Sequence, residues 1–413
     1  TADALLLRCK AKLASGDGTQ YAKAAKNWAK HHLPISAKPE FSNTRQSDKR
    51  LRIGWISSFF SEHPSYKLLG PLARHLNRHE IELFLYSATP RPDDVTRSWQ
   101  VMADGWREVY GQDPMQIADR IRKDKIDILI DLCGAHPTQP IEVFALHGAP
   151  IQASLSPTTT GIPQIDYLIG HKEVFSGKIA NNKGLSEHPQ KLELGPYLPD
   201  ELDDTLPVSP LPAAFNDDII RFGCIDKLAN ISDETLHCFA RILNKIKNSR
   251  IVIQDDVLED SYAAKTFLDR TRQAGINRDR LDLAGSVSAE DRPALFAQID
   301  IGLAPFPAIC LENHFEMLWS GVPFVSLASD LPGSRLGLAM LSDIGLEALC
   351  AHTEKGYVDK CIMLCADLKA LASIRENMRD RIRNAKAFHP PAVAREFEDA
   401  CREMWQNYCL QKG

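Results

Sequence analysis

The sequence predicts an α/β protein of two tandem doubly wound domains, with a helical segment before them and a cross-over helix after them. Three observations predict it. Short apolar runs rich in Ile, Leu and Val alternate with helical patterns through most of the 413 residues, as in parallel sheets covered on both faces. The alternation stops over residues 196–218, a stretch rich in Pro, Asp and Leu, and then restarts. Hydrophobic residues make up 44% of the chain and the mean hydropathy is −0.25, a globular balance with core enough for two or three domains.

Residues 1–33 show helical periodicity through Leu5, Leu6, Leu13, Tyr21, Ala25 and Trp28, and Pro34 opens a polar linker, so 1–48 read as a helical appendage. Residues 49–205 hold the first domain. Its expected strands are 51–57, 81–86, 126–131 and 151–154, with helices at 65–76 and 114–122. Residues 206–387 hold the second, with strands at 220–225, 251–254, 281–284 and 299–304 and helices at 232–246, 261–274 and 290–297. A loop broken by Pro305 and Pro307, a helix to Trp319, a Gly-x-Pro turn and a strand from Phe324 follow, then helices near 334–343, 357–372 and 374–387. Residues 388–413, opened by Pro390 and Pro391, form a last helix expected to pack back on the first domain. Two such domains in tandem set the carboxyl ends of their strands across a cleft, where open α/β sheets bind ligands.

Composition narrows the partners. Lys plus Arg total 49 against 54 for Asp plus Glu and no dense basic run occurs, which argues against nucleic acid or an anionic membrane surface. No apolar run is long enough to span a bilayer. Ten scattered cysteines without a secreted-domain framework read as reduced thiols in a cytoplasmic protein. Cys361 and Cys365, one helical turn apart, read as core thiols rather than a metal pair, so no metal is expected. Because the chain begins at Thr1 rather than Met, further residues are expected upstream.

The strongest chemical signal is Glu312-Asn313-His314-Phe315-Glu316-Met317-Leu318-Trp319, a helix entered from a loop after a buried strand. Loop amides and a helix N-terminus suit a diphosphate, with Glu312, Asn313 and His314 beside it. Glu316, one turn on, can accept from ribose hydroxyls; alternatively it is the exposed acid of an ordinary amphipathic helix. His63, in the loop after the first strand, is placed to act as a base or to hydrogen-bond substrate, or simply caps the next helix. Lys227, after the first strand of the second domain, can neutralise a departing diphosphate or be a solvated loop lysine. Asn230 nearby either joins that site or belongs to a helix start. Ser286-Val287-Ser288 follows another strand, where main-chain groups can read a base, and Arg292 lies one turn into the next helix. The hydroxyls of Thr158, Thr159 and Thr160 can contact a sugar, although turn chemistry alone also explains them.

Taken together, Leu51-Arg-Ile-Gly-Trp-Ile-Ser-Ser58 with His63-Pro64, Phe144-Ala-Leu with Ala149-Pro-Ile-Gln152, Asp166-Tyr167, Ser186-Glu187, and Leu318-Trp319 with Gly321-Val-Pro323 resemble the catalytic region of the O-linked N-acetylglucosamine transferase and SPINDLY family. The resemblance runs collinearly from about residue 50 to the end. It implies a GT-B fold and an inverting, metal-independent transfer from a nucleoside diphosphate sugar, usually UDP-linked, to protein side chains, Ser or Thr and in related bacterial enzymes Asn. It also implies tetratricopeptide repeats before this region, which fits residues 1–33. Under it, His63 falls on the family's active-site histidine and Glu316 on the acid that holds the ribose.

Other positions depart from the family pattern. Its phosphate-binding lysine falls on Asn230, while Lys227 stands where Gln is usual. The lysine and histidine flanking uracil fall on Ala289 and Arg292, and the Gly-His-Thr-Thr loop facing the diphosphate on Cys310-Leu311-Glu312-Asn313. The sugar-facing loop is altered and about two residues shorter. The expected function is therefore a protein glycosyltransferase using a nucleotide sugar and an acceptor protein or peptide. Two alternatives stand beside it: a catalytically impaired descendant that binds or scaffolds, and an enzyme with a changed donor or a small acceptor.

Overall fold

The computed structural model describes residues 6–7, 9–11, 18–34, 36–134, 136–177, 179, 184–195, 208, 212 and 214–411. Leu5, Leu13 and most of the expected linker 196–218, with the 205/206 boundary inside it, lie outside the described residues. The described residues form two compact units, one of those up to 11, from 18 to 195 and from 386 to 411, and one of those from 208 to 385.

The first unit is built on seven parallel strands: β1 (Leu51–Ser57), β2 (Ile81–Ser87), β3 (Gly105–Glu108), β4 (Ile128–Asp131), β5 (Ile151–Ser154), β6 (Tyr167–His171) and β7 (His188–Leu192). Their order is β3-β2-β1-β4-β5-β6-β7. The central strands are apolar on both faces, as a parallel sheet between helices requires, and Trp55 of β1 is fully buried against Trp99 and Phe397. The sheet reverses its winding between β1 and β4, which places the loops after those strands at its ligand-binding edge.

The helix Pro390–Leu410 packs on this unit. Trp405 Nε1 donates to the Gln46 carbonyl at 2.8 Å, and Glu398 accepts from the Asn77 amide at 2.5 Å. In the same unit the helix Gly18–His32 lies against the loop that follows β5. Gly161 in that loop has φ +75°, and a Cβ there would stand 2.3 Å from the Ala25 carbonyl carbon and 2.5 Å from its oxygen. Only glycine lets that helix backbone seat so closely. Gly161→Ala combines a disfavoured φ with a main-chain clash, and we expect a loss of about 3 kcal/mol, read as a drop in thermal midpoint together with faster proteolysis of Gly18–His32.

The second unit carries six parallel strands: β8 (Ile220–Ile225), β9 (Ser249–Gln254), β10 (Leu281–Ala284), β11 (Ile301–Leu303), β12 (Phe324–Leu327) and β13 (Cys350–Ala351). Their order, β10-β9-β8-β11-β12-β13, is the doubly wound order of dinucleotide-binding sheets, with its switch point between β8 and β11. Gly302 on β11 lets the helix Leu311–Trp319 press onto the sheet, since a Cβ there would lie 2.1 Å from Met317 Sδ. The expected helix 357–372 is broken: one helix ends at Ala366, and Asp367 caps a new one from Leu368 by accepting from the Ala370 amide at 2.9 Å. All ten cysteines are free thiols; burial raises both Cys361 and Cys365, the latter to about 12. Among the described residues no helix is long and apolar enough to cross a membrane.

Candidate active site

In the second unit the loops that leave β8 and β11 at the switch point are joined by one buried carboxylate. Asp226 ends up beneath both: its Oδ1 accepts from the Lys227 amide (2.6 Å) and from Asn230 Nδ2 (2.7 Å), and its Oδ2 from the Cys310 amide (2.8 Å). Asn230 is 7% exposed and directs its side-chain amide at this carboxylate. Lys227 lies on the outside of the same turn, its side chain 56% exposed and its Nζ 3.4 Å from Asp255 Oδ1. Asp255, itself buried, also accepts from the Leu228 amide at 2.7 Å. Two buried acids thus brace the short turn that presents the lysine.

The helix Leu311–Trp319 starts at Cys310 without a side-chain cap, so its first amides and the positive end of its dipole are left to other partners. Glu312 and Asn313 sit half-buried in its first turn. Glu316, one turn on, forms an ion pair with Arg292, whose Nε lies 2.6 Å from its Oε2 and whose Nη2 donates to Asn313 Oδ1 at 3.3 Å. Arg292, Asn313 and Glu316 therefore form one constellation. Arg292 also lies over the Phe296 ring, 5.4 Å from its centroid. Val287 is half-buried in the loop after β10, whose preceding residue Ser286 donates its amide to Glu259 at 3.0 Å.

His314 departs from its expected role at the donor. It is fully buried, its Nδ1 2.8 Å from the Cys310 carbonyl and 3.7 Å from Asp226 Oδ2. A carbonyl only accepts, so Nδ1 carries the proton, and Nε2 is buried with no hydrogen-bond partner among the described residues. Helix periodicity explains the placement: His314 projects inward while Glu312, Asn313 and Glu316 do not. Burial pushes the Asp226 carboxyl up and the His314 imidazole down. Folding thus excludes a proton that His314 takes up in the unfolded chain as pH falls through about 6.5, so stability is lost as pH drops below that value. Chemical unfolding of wild type and His314→Leu between pH 7.5 and 5.5 should show their stability difference shifting against wild type toward acid, by at most about 1.4 kcal/mol per pH unit.

In the first unit His63 caps the helix Pro64–His75. The Ser65 amide donates to Nδ1 at 3.1 Å, with Ser65 Oγ at 2.9 Å. An amide only donates, so Nδ1 is the acceptor and the neutral ring carries its proton on Nε2. The ring stacks on Phe59, 4.0 Å between centroids and 4° from parallel. On that phenyl, 4.6 Å away and edge-on, lies His136, from the loop after β4, a residue the sequence reading missed. His136 is built the same way: the Thr138 amide approaches its Nδ1 at 3.3 Å and Thr138 Oγ1 at 2.8 Å. Beneath them buried Asp131 accepts from the Gly134 amide (2.9 Å), Gln139 Nε2 (2.9 Å) and Ser154 Oγ (2.8 Å), and Gln139 in turn accepts from Ser58 Oγ at 3.1 Å.

The threonine loop corrects an expectation. Thr159 and Thr160 turn inward, where Thr159 Oγ1 donates to Glu187 at 2.6 Å and both the amide (2.7 Å) and the hydroxyl of Thr160 donate to its other oxygen. Thr158 is half-buried, its Oγ1 3.4 Å from the Tyr21 hydroxyl and 3.3 Å from Ser156 Oγ. A buried carboxylate needs donors, and these hydroxyls supply them instead of meeting a sugar.

The model of glycosyl transferase family 41 matches residues 22–192 and 208–396. The chain belongs to this family. Among curated relatives, a probable UDP-N-acetylglucosamine–peptide N-acetylglucosaminyltransferase SPINDLY of Hordeum vulgare is 30% identical over 94% of the chain and 41% of its own length. That of Arabidopsis thaliana is 30% identical over 89% and 41%. The chain thus spans about two-fifths of the length of these relatives. Among solved structures, a mutant of Thermobaculum terrenum O-GlcNAc transferase superposes with a TM-score of 0.89 at 27% identity, covering 99% of the chain and 78% of the other. Both units are parallel α/β domains of the GT-B type found in this family.

Proposed function

We propose that this family 41 chain moves a sugar from a nucleoside diphosphate sugar, UDP-linked, to a side-chain hydroxyl of a protein. The observation that carries it is the grouping of Arg292, Asn313 and Glu316 at the start of the helix Leu311–Trp319, beside the switch point of the second sheet. Acid, amide and helix N-terminus together suit ribose hydroxyls and a diphosphate. Arg292 engages Glu316 and orients its carboxylate for ribose. Lys227 and the helix dipole take up charge as the diphosphate departs, so transfer needs no metal. His63 donates from Nε2 and orients the acceptor or a donor oxygen. To remove a proton at Nε2 it would first have to give up its cap and change tautomer.

A second reading, a descendant that binds without transferring, draws on one observation: Asn230, where the family's lysine falls, is locked onto Asp226. Mass spectrometry of candidate acceptor proteins incubated with the chain and a panel of nucleotide sugars, with and without EDTA, separates the two. The enzyme reading expects one sugar mass on Ser or Thr, unaffected by EDTA; Asn modification would change the acceptor. Absence of binding by UDP and other nucleotides to the folded chain, read by calorimetry, would sink it, and binding without transfer to any acceptor supports the second reading.

A further inference from the structure

Asp226 faces no proposed donor group, yet it touches every element that carries one in the second unit's switch point. It is fully buried, and its three hydrogen-bond donors come from two loops, the farther of them, Cys310, standing 84 residues from Asp226 in sequence. On one side it holds Lys227 and Asn230; on the other it holds Cys310, the residue from which the helix bearing Glu312, Asn313 and Glu316 begins. His314 closes the joint from inside that helix, bonding the Cys310 carbonyl and lying beside the same carboxylate. A buried carboxylate is a costly way to fill a core, since apolar side chains of similar volume stabilise as well or better. What a carboxylate supplies that an apolar group does not is simultaneous acceptance from donors on separate loops.

We propose that Asp226 is a positioning residue of the donor site, fixing the turn that presents Lys227 relative to the helix that presents Asn313 and Glu316. The role rests on the donor reading given above. It acts through geometry: misplacing either loop by a fraction of an ångström weakens both ends of the grip on a diphosphate nucleoside.

Asp226→Asn tests it with the core volume unchanged. The amide brings N–H groups to where the carboxylate accepted, so either the Cys310 amide or the Lys227 and Asn230 donors must face another donor. We expect the UDP dissociation constant, read by calorimetry, to rise about tenfold. The KM for the nucleotide sugar should rise by the same factor, with the KM for acceptor protein within about twofold of wild type. A purely structural role would instead lower binding stoichiometry and kcat in step with the misfolded fraction and leave the dissociation constant unchanged. If Asp226→Asn does not fold, His314→Gln, which loosens the same joint from the helix side, is read in its place and should raise the dissociation constant at least about threefold. Variants that fold and bind UDP as wild type does overturn the role. Failure of the wild-type chain to bind UDP overturns the donor reading itself and the role with it, and it is recognised before any variant is made.

Discussion

Lys227→Ala should lower kcat by about 10²–10³-fold at saturating donor, whereas Asn230→Ala should lower it by less than about tenfold. The reason is which of the two can meet a departing diphosphate. Asn230 is buried, carries no charge, and has its side-chain amide directed at Asp226. Lys227 is largely exposed, and its contact with Asp255 is long at 3.4 Å, so a phosphate oxygen can compete for the ammonium at small cost. Asp255 and Asp226 hold the main chain on either side of it, which fixes the lysine's origin while its side chain extends into solvent. An ammonium acting only on the departing group stabilises the transition state more than the bound donor, so the loss belongs in kcat rather than in KM. Single-turnover measurement of transfer isolates that step. Small and equal effects of the two substitutions would refute the shift of the leaving-group cation from position 230 to position 227.

The sheets were legible because their central strands are short apolar runs, and a parallel sheet between helices leaves such runs no polar face to blur the pattern. What escaped was mostly at the margins, although β6, Tyr-Leu-Ile-Gly-His, lies inside the first sheet and was missed as well. The edge strands β3 and β7 read Gly-Trp-Arg-Glu and His-Pro-Gln-Lys-Leu, with one face left to solvent and too few residues for a period to show. The helix Asp94–Met102 was also missed, although Asp93 and Thr96 form a capping box, because Trp99 is its only large buried side chain. At the site, Glu316, Arg292, Lys227 and His63 were visible as residue types in the right loops. Their partners were not, because Arg292 and Glu316 are 24 residues apart and meet only when β10 and β11 are in place. Asp226 escaped for the same reason, since nothing local distinguishes a carboxylate that joins two loops from one in solvent. Thr159 and Thr160 misled because loop position says nothing about which way a hydroxyl turns, and Glu187, 27 or 28 residues on, decides it.

His63→Asn and His63→Ala should both lower transfer by about 10²-fold or more, yet only the alanine variant should lose stability, by about 1 kcal/mol. The ring does two separable jobs at two nitrogens. Nδ1 accepts from the Ser65 amide and so ends the helix Pro64–His75, a task an asparagine side-chain oxygen performs as well or better. Nε2 carries the proton that this cap dictates, and the stack on Phe59 sets the direction in which it is offered. Asparagine cannot place a donor at the reach of Nε2, so it restores the cap without the contact to substrate. Thermal unfolding and transfer rate measured on the same three proteins therefore resolve the two roles. If the asparagine variant retained full transfer, His63 would be a helix cap alone, and the first unit's contribution to chemistry would pass to its neighbour across Phe59, His136, whose Nδ1 is engaged by Thr138 in the same manner. If instead the alanine variant kept wild-type stability while losing transfer, the cap would be energetically idle, and the same bond to Ser65 would serve only to hold the proton on Nε2.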